Sequence, residues 1–140
     1  MEIRDVAGFA ELEVAFYIRQ LVFVIEQHCP VQDEFDQFDA VASHILAYDG
    51  EQPVGTARWR VVDGVAKFER ICVIEAYRKH GVGQLLVQAL EERARRKGLA
   101  AAKLHGQVQA EGFYHKLGYA TAGDVFIEDG IEHVVMTKTL

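Results

Sequence analysis

The 140-residue chain carries a formal net charge of −6, with 50% hydrophobic and 26% charged residues. One domain, residues 1–140, is expected, large enough to bury a single core without disulfides or metal ions. The acidic balance argues against a nucleic-acid-coating surface and is compatible with a cationic substrate. No apolar run nears the ~20 residues of a membrane span, and no basic leader precedes an apolar stretch, so a cytoplasmic protein without a membrane partner is expected. The two cysteines, Cys29 beside Pro30 and Cys72 in a β-like run, suggest no disulfide framework.

In chain order, EIRDV predicts a short first strand. Phe9 to Gln27 reads as helix, with Leu12, Phe16, Arg19, Phe23 and Glu26 near one stripe, ended by Cys29-Pro30. The acidic DEFDQFDAV follows as a short helix or loop. Next, SHILAYDGEQPVGTARWRVVDGVAKFERICVI holds three β-like runs separated by the turn signals DGEQP and DG, which predicts an antiparallel meander. A helix from about Gly81 to Lys97 carries Val82, Leu85, Leu86, Ala89, Leu90 and Ala94 at helical spacing. Its Glu91–Arg95 and Glu92–Arg96 pairs are expected on the wet face, with Gly98 at the C-cap. LAAAKLHGQ predicts a strand, EGFYHKLGY a short helix closed by Gly118, and the tail two more strands around EDGIEH. The fold class is α+β, with a central, mostly antiparallel sheet.

The run KFERICVIEAYRKHGVGQLLVQAL carries the chemistry. A strand entering a glycine turn and then a helix leaves backbone N–H groups free where the macrodipole is positive, which is an anion site. Gly81 and Gly83 remove side chains that would hold a phosphate at a distance, and Arg78, Lys79 and His80 add positive charge or can acquire it. The segment is neither a P-loop nor a dinucleotide fingerprint, since it lacks the Gly-Lys-Ser/Thr ending, the third glycine and the downstream acid. An ordinary glycine turn before a core helix would use the same residues.

The order β-meander, ICVIEAYRKHGVG, long helix, strand and GFYHKLGY resembles the Gcn5-related N-acetyltransferase (GNAT) superfamily, whose acetyl-CoA signature is Arg or Gln, two residues, Gly, one residue, Gly or Ala. Arg78, Gly81 and Gly83 fill it. RQLVFVIEQHCPVQDEFDQFD, SHI and the terminal GIEHVVM further resemble a small bacterial subgroup of the YjcF and ElaA type. The resemblance implies a GNAT fold with a six- to seven-stranded sheet and about four helices. It also implies acetyl transfer from acetyl-CoA to a primary amine, with no metal.

Carried over by residue, the resemblance implies that Ile71, Cys72 and Val73 face the pantetheine arm. Arg78, Lys79, His80, Gly81, Val82, Gly83 and Gln84 would surround the diphosphate. Tyr114 would sit by the thioester sulfur, where a phenol can protonate a departing thiolate. A proton acceptor for the attacking amine is sought, in order, in Glu69, His44, His133 and Glu26. Glu69 leads because alternation puts it on one strand face with Ile71 and Val73 unless a bulge intervenes. Lys79 and His80 depart from the commoner residues of the signature, and His105-Gly106-Gln107 departs from the family's usual segment before the last helix. Cys72 as a nucleophile lacks an adjacent base.

A CoA-binding sensor without turnover and an acyltransferase resembling acyl-homoserine-lactone synthases are the alternatives. The acidic loop of Asp33, Glu34, Asp36 and Asp39 favours a small cationic amine over a protein lysine. Acceptor identity and a homodimer stay open.

Overall fold

The computed structural model describes residues 1–140. Strand β1 (Glu2–Asp5) leads to α1 (Phe9–Arg19), which continues as a π-helical segment over Gln20–Glu26. A short α2 (Val31–Glu34) and a 3₁₀ turn (Gln37–Ala40) occupy the acidic loop. The meander is β2 (Ser43–Asp49), β3 (Gln52–Val62) and β4 (Val65–Val73), followed by α3 (Val82–Arg96), β5 (Ala101–Gln107) and α4 (Glu111–Lys116). The tail forms β6 (Ala120–Thr121), β7 (Phe126–Glu128) and β8 (Ile131–Thr139).

The eight strands make one sheet in the order β1-β2-β3-β4-β5-β8-β6, with β7 also on β8. The two- and three-residue strands β6 and β7 raise the count above the expected six to seven. All pairings are antiparallel except β4–β5, which is parallel and runs only from Ala66–Ala102 to Phe68–Leu104. Past that point the two strands no longer pair, and their backbone groups border an opening in the middle of the sheet.

Two cores lie on opposite faces. The larger joins Val82, Leu86, Val87, Leu90 and Ala94 of α3 to Ala57, Trp59, Phe68, Leu104 and Met136 of the sheet. The smaller sets Ala15, Ile18 and Val22 against Leu46, Tyr48 and Cys72. The first helix therefore buries Ala15, Ile18, Arg19 and Val22; of these only Arg19 belongs to the expected stripe, whose Glu26 is exposed. The wider π turn rotates the residues after Arg19 away from a 3.6-residue register. Glu91 is likewise not on the wet face. It is 4% exposed and binds the Tyr119 hydroxyl at 2.7 Å and Lys138 Nζ at 3.0 Å, whereas Glu92 and Arg96 do pair on the surface.

Candidate active site

A cavity of about 560 Å³ enters the opening between β4 and β5. One end is built by the glycine turn. Gly81, the N-cap of α3, has φ +83, a left-handed conformation that glycine adopts without a Cβ penalty. The first N–H of the helix to find a main-chain partner is that of Leu85, on Gly81 O, so the N–H groups of Val82, Gly83 and Gln84 have none within the helix. Arg78, Lys79, Gly81, Gly83 and Gln84 line this end. His80 is exposed and outside the lining, and the Val82 side chain is buried in the larger core, so Val82 contributes backbone alone. Gly83 answers a packing demand, since a Cβ there would lie 3.2 Å from Phe113 Cζ.

Arg78 does not point freely at this end. Its Nε donates to the Val73 carbonyl at 3.0 Å, and its Nη2 to Glu26 Oε1 at 2.6 Å. The hydrogen bond from Arg78 holds the Glu26 carboxyl below its ordinary range. Glu26 is thus a partner of the turn and lies outside the cavity lining.

The β4 wall is bent by a bulge. Thr56 pairs with Cys72 but Arg58 pairs with Glu69, and Arg70 takes a left-handed φ of 56°. The extra residue breaks the alternation, so Glu69 does not share a face with Ile71 and Val73. Ile71 and Val73 pack against the larger core, and Cys72 lies in the smaller one. Burial pushes the Cys72 thiol well up, which leaves it protonated and unsuited to nucleophilic attack.

Glu69 is saturated with cations. Its carboxylate receives Arg58 Nη2 at 3.0 Å and Arg60 Nε at 2.8 Å, with Lys67 Nζ at 3.3 Å. Despite burial, the Arg60 hydrogen bond and the charges of Arg58 and Lys67 hold it below the ordinary range, so it is a poor proton acceptor. It belongs to a wider buried network. Arg19, 0% exposed, binds Glu34 at 3.0 Å and Asp39 at 2.6 Å; Arg58, 1% exposed, binds Asp36 at 2.7 Å and Asp39 at 2.9 Å. Arg70 reaches Glu34 and Asp36. Three of the four acids of the loop are therefore already paired and offer no spare charge to a substrate. His44 sits beside this network, its Nε2–H donating to the Asp39 carbonyl at 3.0 Å and its buried Nδ1 left without a partner. Desolvation lowers its basicity, and it does not line the cavity.

Tyr114 and His133 do line it. Tyr114 is buried at the foot of α4, and that burial pushes its phenol up, so it carries its proton at neutral pH. On the sheet face opposite α3, His133 meets His105, Gln107, Glu128 and Asp129. Gln107 Nε2 donates to Gln27 Oε1 at 2.9 Å, tying β5 to the end of the first helix. His105, Glu128 and Asp129 were not expected at the site. The alternation of HGQ on a strand was the signal available for His105, whereas Glu128 arrives through a hairpin whose position in the sheet no local pattern states.

Comparison with known proteins agrees with this fold. The acetyltransferase (GNAT) domain family matches residues 20–140. The chain is 50% identical over 143 residues to the uncharacterized Bacillus subtilis protein YyaT, covering 100% of this chain and 97% of that one. It is 44% identical over 129 residues to the uncharacterized B. subtilis N-acetyltransferase YjcF, covering 91% and 92%. Among solved structures, Escherichia coli ElaA superposes with a TM-score of 0.86 at 30% identity, covering 99% of both chains. A CoA-dependent acyl-homoserine lactone synthase, BjaI, reaches a TM-score of 0.79 at 17% identity, covering 98% of this chain and 82% of that one, a likeness of fold alone.

The chain belongs to the GNAT family of acetyltransferases, and it is an acyltransferase with an acyl-CoA cosubstrate. No helix is long and apolar enough to cross a membrane.

Proposed function

We propose that the protein transfers an acetyl group from acetyl-CoA to the primary amine of a small cationic molecule, by direct attack of the amine on the thioester. The observation that carries this reading is one cavity lined both by the glycine turn with its unpaired N–H groups and by Tyr114 and His133. The diphosphate would lie at the helix start, where the dipole and backbone donors favour an anion. The pantetheine arm would follow the opening between β4 and β5, although Arg78 already occupies one β4 acceptor, the Val73 carbonyl.

Tyr114 is assigned as the general acid. As the C–N bond forms and the C–S bond breaks, its O–H supplies the proton that the leaving thiolate takes. His133 is assigned as the acceptor of the ammonium proton, ahead of Glu69, His44 and Glu26, because it lines the cavity and is not held by cations. The cationic character of the acceptor is supported by Asp129, which lines the cavity and makes no ion pair. Burial raises its carboxyl against the opposing charge of Arg70, with smaller contributions from Glu128 and Asp33.

The test is a panel of primary amines with acetyl-CoA, following free thiol, on protein whose co-purified ligand has been identified by mass spectrometry. Thiol release that depends on a small amine is the expected result. CoA binding without release with any amine would instead make the protein a CoA-binding module.

A further inference from the structure

We infer that His133, Glu128 and His105 form one proton-accepting assembly for the acceptor amine, in which His133 takes the proton and Glu128 is a positioning residue. The inference rests on the acetyl-transfer reading and deepens it.

The assembly follows from strand register. Leu104, Val134 and Met136 belong to the α3-side core, so their alternating neighbours His105 and His133 project from the opposite face. Phe126 pairs directly across from His133, and Glu128 lies two residues further along the same face of β7. The hairpin closes through Asp129 and Gly130, at φ 53 and 77, a tight turn that returns β8 directly onto β7. Phe126 then orients both imidazoles, stacked on His133 at 5.9 Å between ring centroids and edge-on to His105 at 5.1 Å.

The hydrogen bonds settle the tautomers. His133 Nδ1 lies 2.7 Å from the Ile131 carbonyl, which can only accept, so that nitrogen holds the proton and Nε2 presents its lone pair. His105 Nδ1 lies 3.1 Å from Glu128 Oε1, so it donates to the carboxylate and fixes its orientation. The second carboxylate oxygen, Glu128 Oε2, stands 3.9 Å from His133 Nε2. That spacing is too long for a hydrogen bond to a neutral ring and short enough to close when the ring is protonated. The Ile131 carbonyl thus leaves the Nε2 lone pair available in the resting state, and Glu128, held by His105, stands where it stabilises the cation after proton transfer.

In the reaction, an N–H proton of the acceptor ammonium passes to His133 Nε2, giving the neutral amine and an imidazolium paired with Glu128. The amine then forms its bond to the thioester carbon as the C–S bond breaks; the departing thiolate takes the Tyr114 proton, and the second proton lost from the acylated nitrogen returns to the Tyr114 phenolate. The imidazolium later loses its proton to water at the cavity mouth, on the side of His105, whose side chain is 22% exposed against 9% for His133. Beside His133 itself, the charged and titratable groups acting on Glu128 are His105 of β5 and Lys67 of β4, and those acting on Asp129 of the hairpin are Arg70 of β4, Asp33 of α2 and Glu128 of β7.

The test compares the parent with Glu128→Gln, His133→Gln and His105→Asn. Nitrogen-15 spectra of the imidazoles are recorded across pH, and thiol release from acetyl-CoA is followed with a primary amine from the panel and with trifluoroethylamine, which is already neutral at neutral pH. The expected parent tautomer of His133 is Nδ1–H, and Glu128→Gln lowers the titration midpoints of both rings together. Glu128→Gln and His133→Gln lower kcat for the basic amine at least tenfold near neutral pH. The loss narrows as pH rises, it is small for trifluoroethylamine, and CoA affinity is unchanged. An Nε2–H tautomer, uncoupled rings, or equal losses at every pH and for both amines would overturn the inference. Thiol release intact in all three variants would overturn this inference alone, whereas no thiol release by the parent with any amine would overturn the acetyl-transfer reading and this inference with it.

Discussion

The Tyr114 ring lies directly on the backbone of Gly106: a methyl group at Gly106 would sit 3.3 Å from Tyr114 Cδ2, and as close to Leu104 Cδ1 and Met136 Sδ. The glycine of the unusual His105-Gly106-Gln107 segment therefore positions the proposed acid by being absent as a side chain. Gly106→Ala should displace the ring by a few tenths of an ångström, lower kcat by about tenfold through misplacement, and cost about 1–3 kcal/mol of stability through overpacking. Steady-state kinetics beside a denaturant titration checks both, and an unchanged kcat would separate Tyr114 from the chemistry.

Tyr114→Phe keeps the ring over Gly106 and removes the proton donor. Turnover should fall by about 10²-fold or more with CoA affinity nearly intact, as expected when a group acts only on the leaving thiolate. Turnover equal to the parent would make Tyr114 a packing residue.

At the other end of the cavity, Gly81→Asp should abolish CoA binding, because it puts a carboxylate and a strained left-handed residue where phosphate must meet backbone N–H groups. Arg78→Ala should weaken binding by about 1.5–3 kcal/mol, the range for a hydrogen bond to a charged group. Glu26→Gln should tighten it, since Arg78 is then released from its carboxylate partner. Calorimetric titration with CoA decides each case, and weaker binding in Glu26→Gln would mean that the pair shapes the site rather than competing with it.

Glu69 is expected to act by structure. Because three cations hold its carboxylate ionised, Glu69→Gln should lower activity by the same factor across pH, with a loss of stability that appears in the same protein. A defect confined to low pH would restore Glu69 as the proton acceptor.

The buried network predicts a pH-dependent stability. Asp36, Asp39 and Glu69 have carboxyls lowered by their arginines against the opposing effect of burial. A lowered folded-state value means stability that is fully present above the unfolded value of about 4 and is lost as pH falls through the folded one. Burial raises Glu34, so its contribution runs the other way and offsets part of the loss. Denaturant midpoints should therefore drop below about pH 4. Arg58→Met removes one cation each from Asp36, Asp39 and Glu69 but leaves them Arg70, Arg19 and Arg60 with Lys67, so at neutral pH it should cost less than the penalty of about 3–5 kcal/mol for a buried charge left wholly unpaired. A flat midpoint down to pH 3 would contradict the pairing.

The sequence by itself determined the parts of this protein that depend on neighbours along the chain. The meander follows from period-2 runs and their DG turns. The α3 helix follows from 3.6-residue periodicity, and its start from a glycine whose φ of +83 is a local demand. Only the tertiary structure decided the rest, because each piece is a relation between distant segments. The bulge at Arg70 turns Glu69 away from Ile71 through pairing with β3. Arg19, at the end of α1, is an interior residue because it binds Glu34 and Asp39 across 15 and 20 positions of chain. His105, Glu128 and His133 converge because β8 inserts between β5 and β7. Charged residues read as surface until their partners are known, since an arginine in a helix looks the same in sequence whether water or two carboxylates satisfy it.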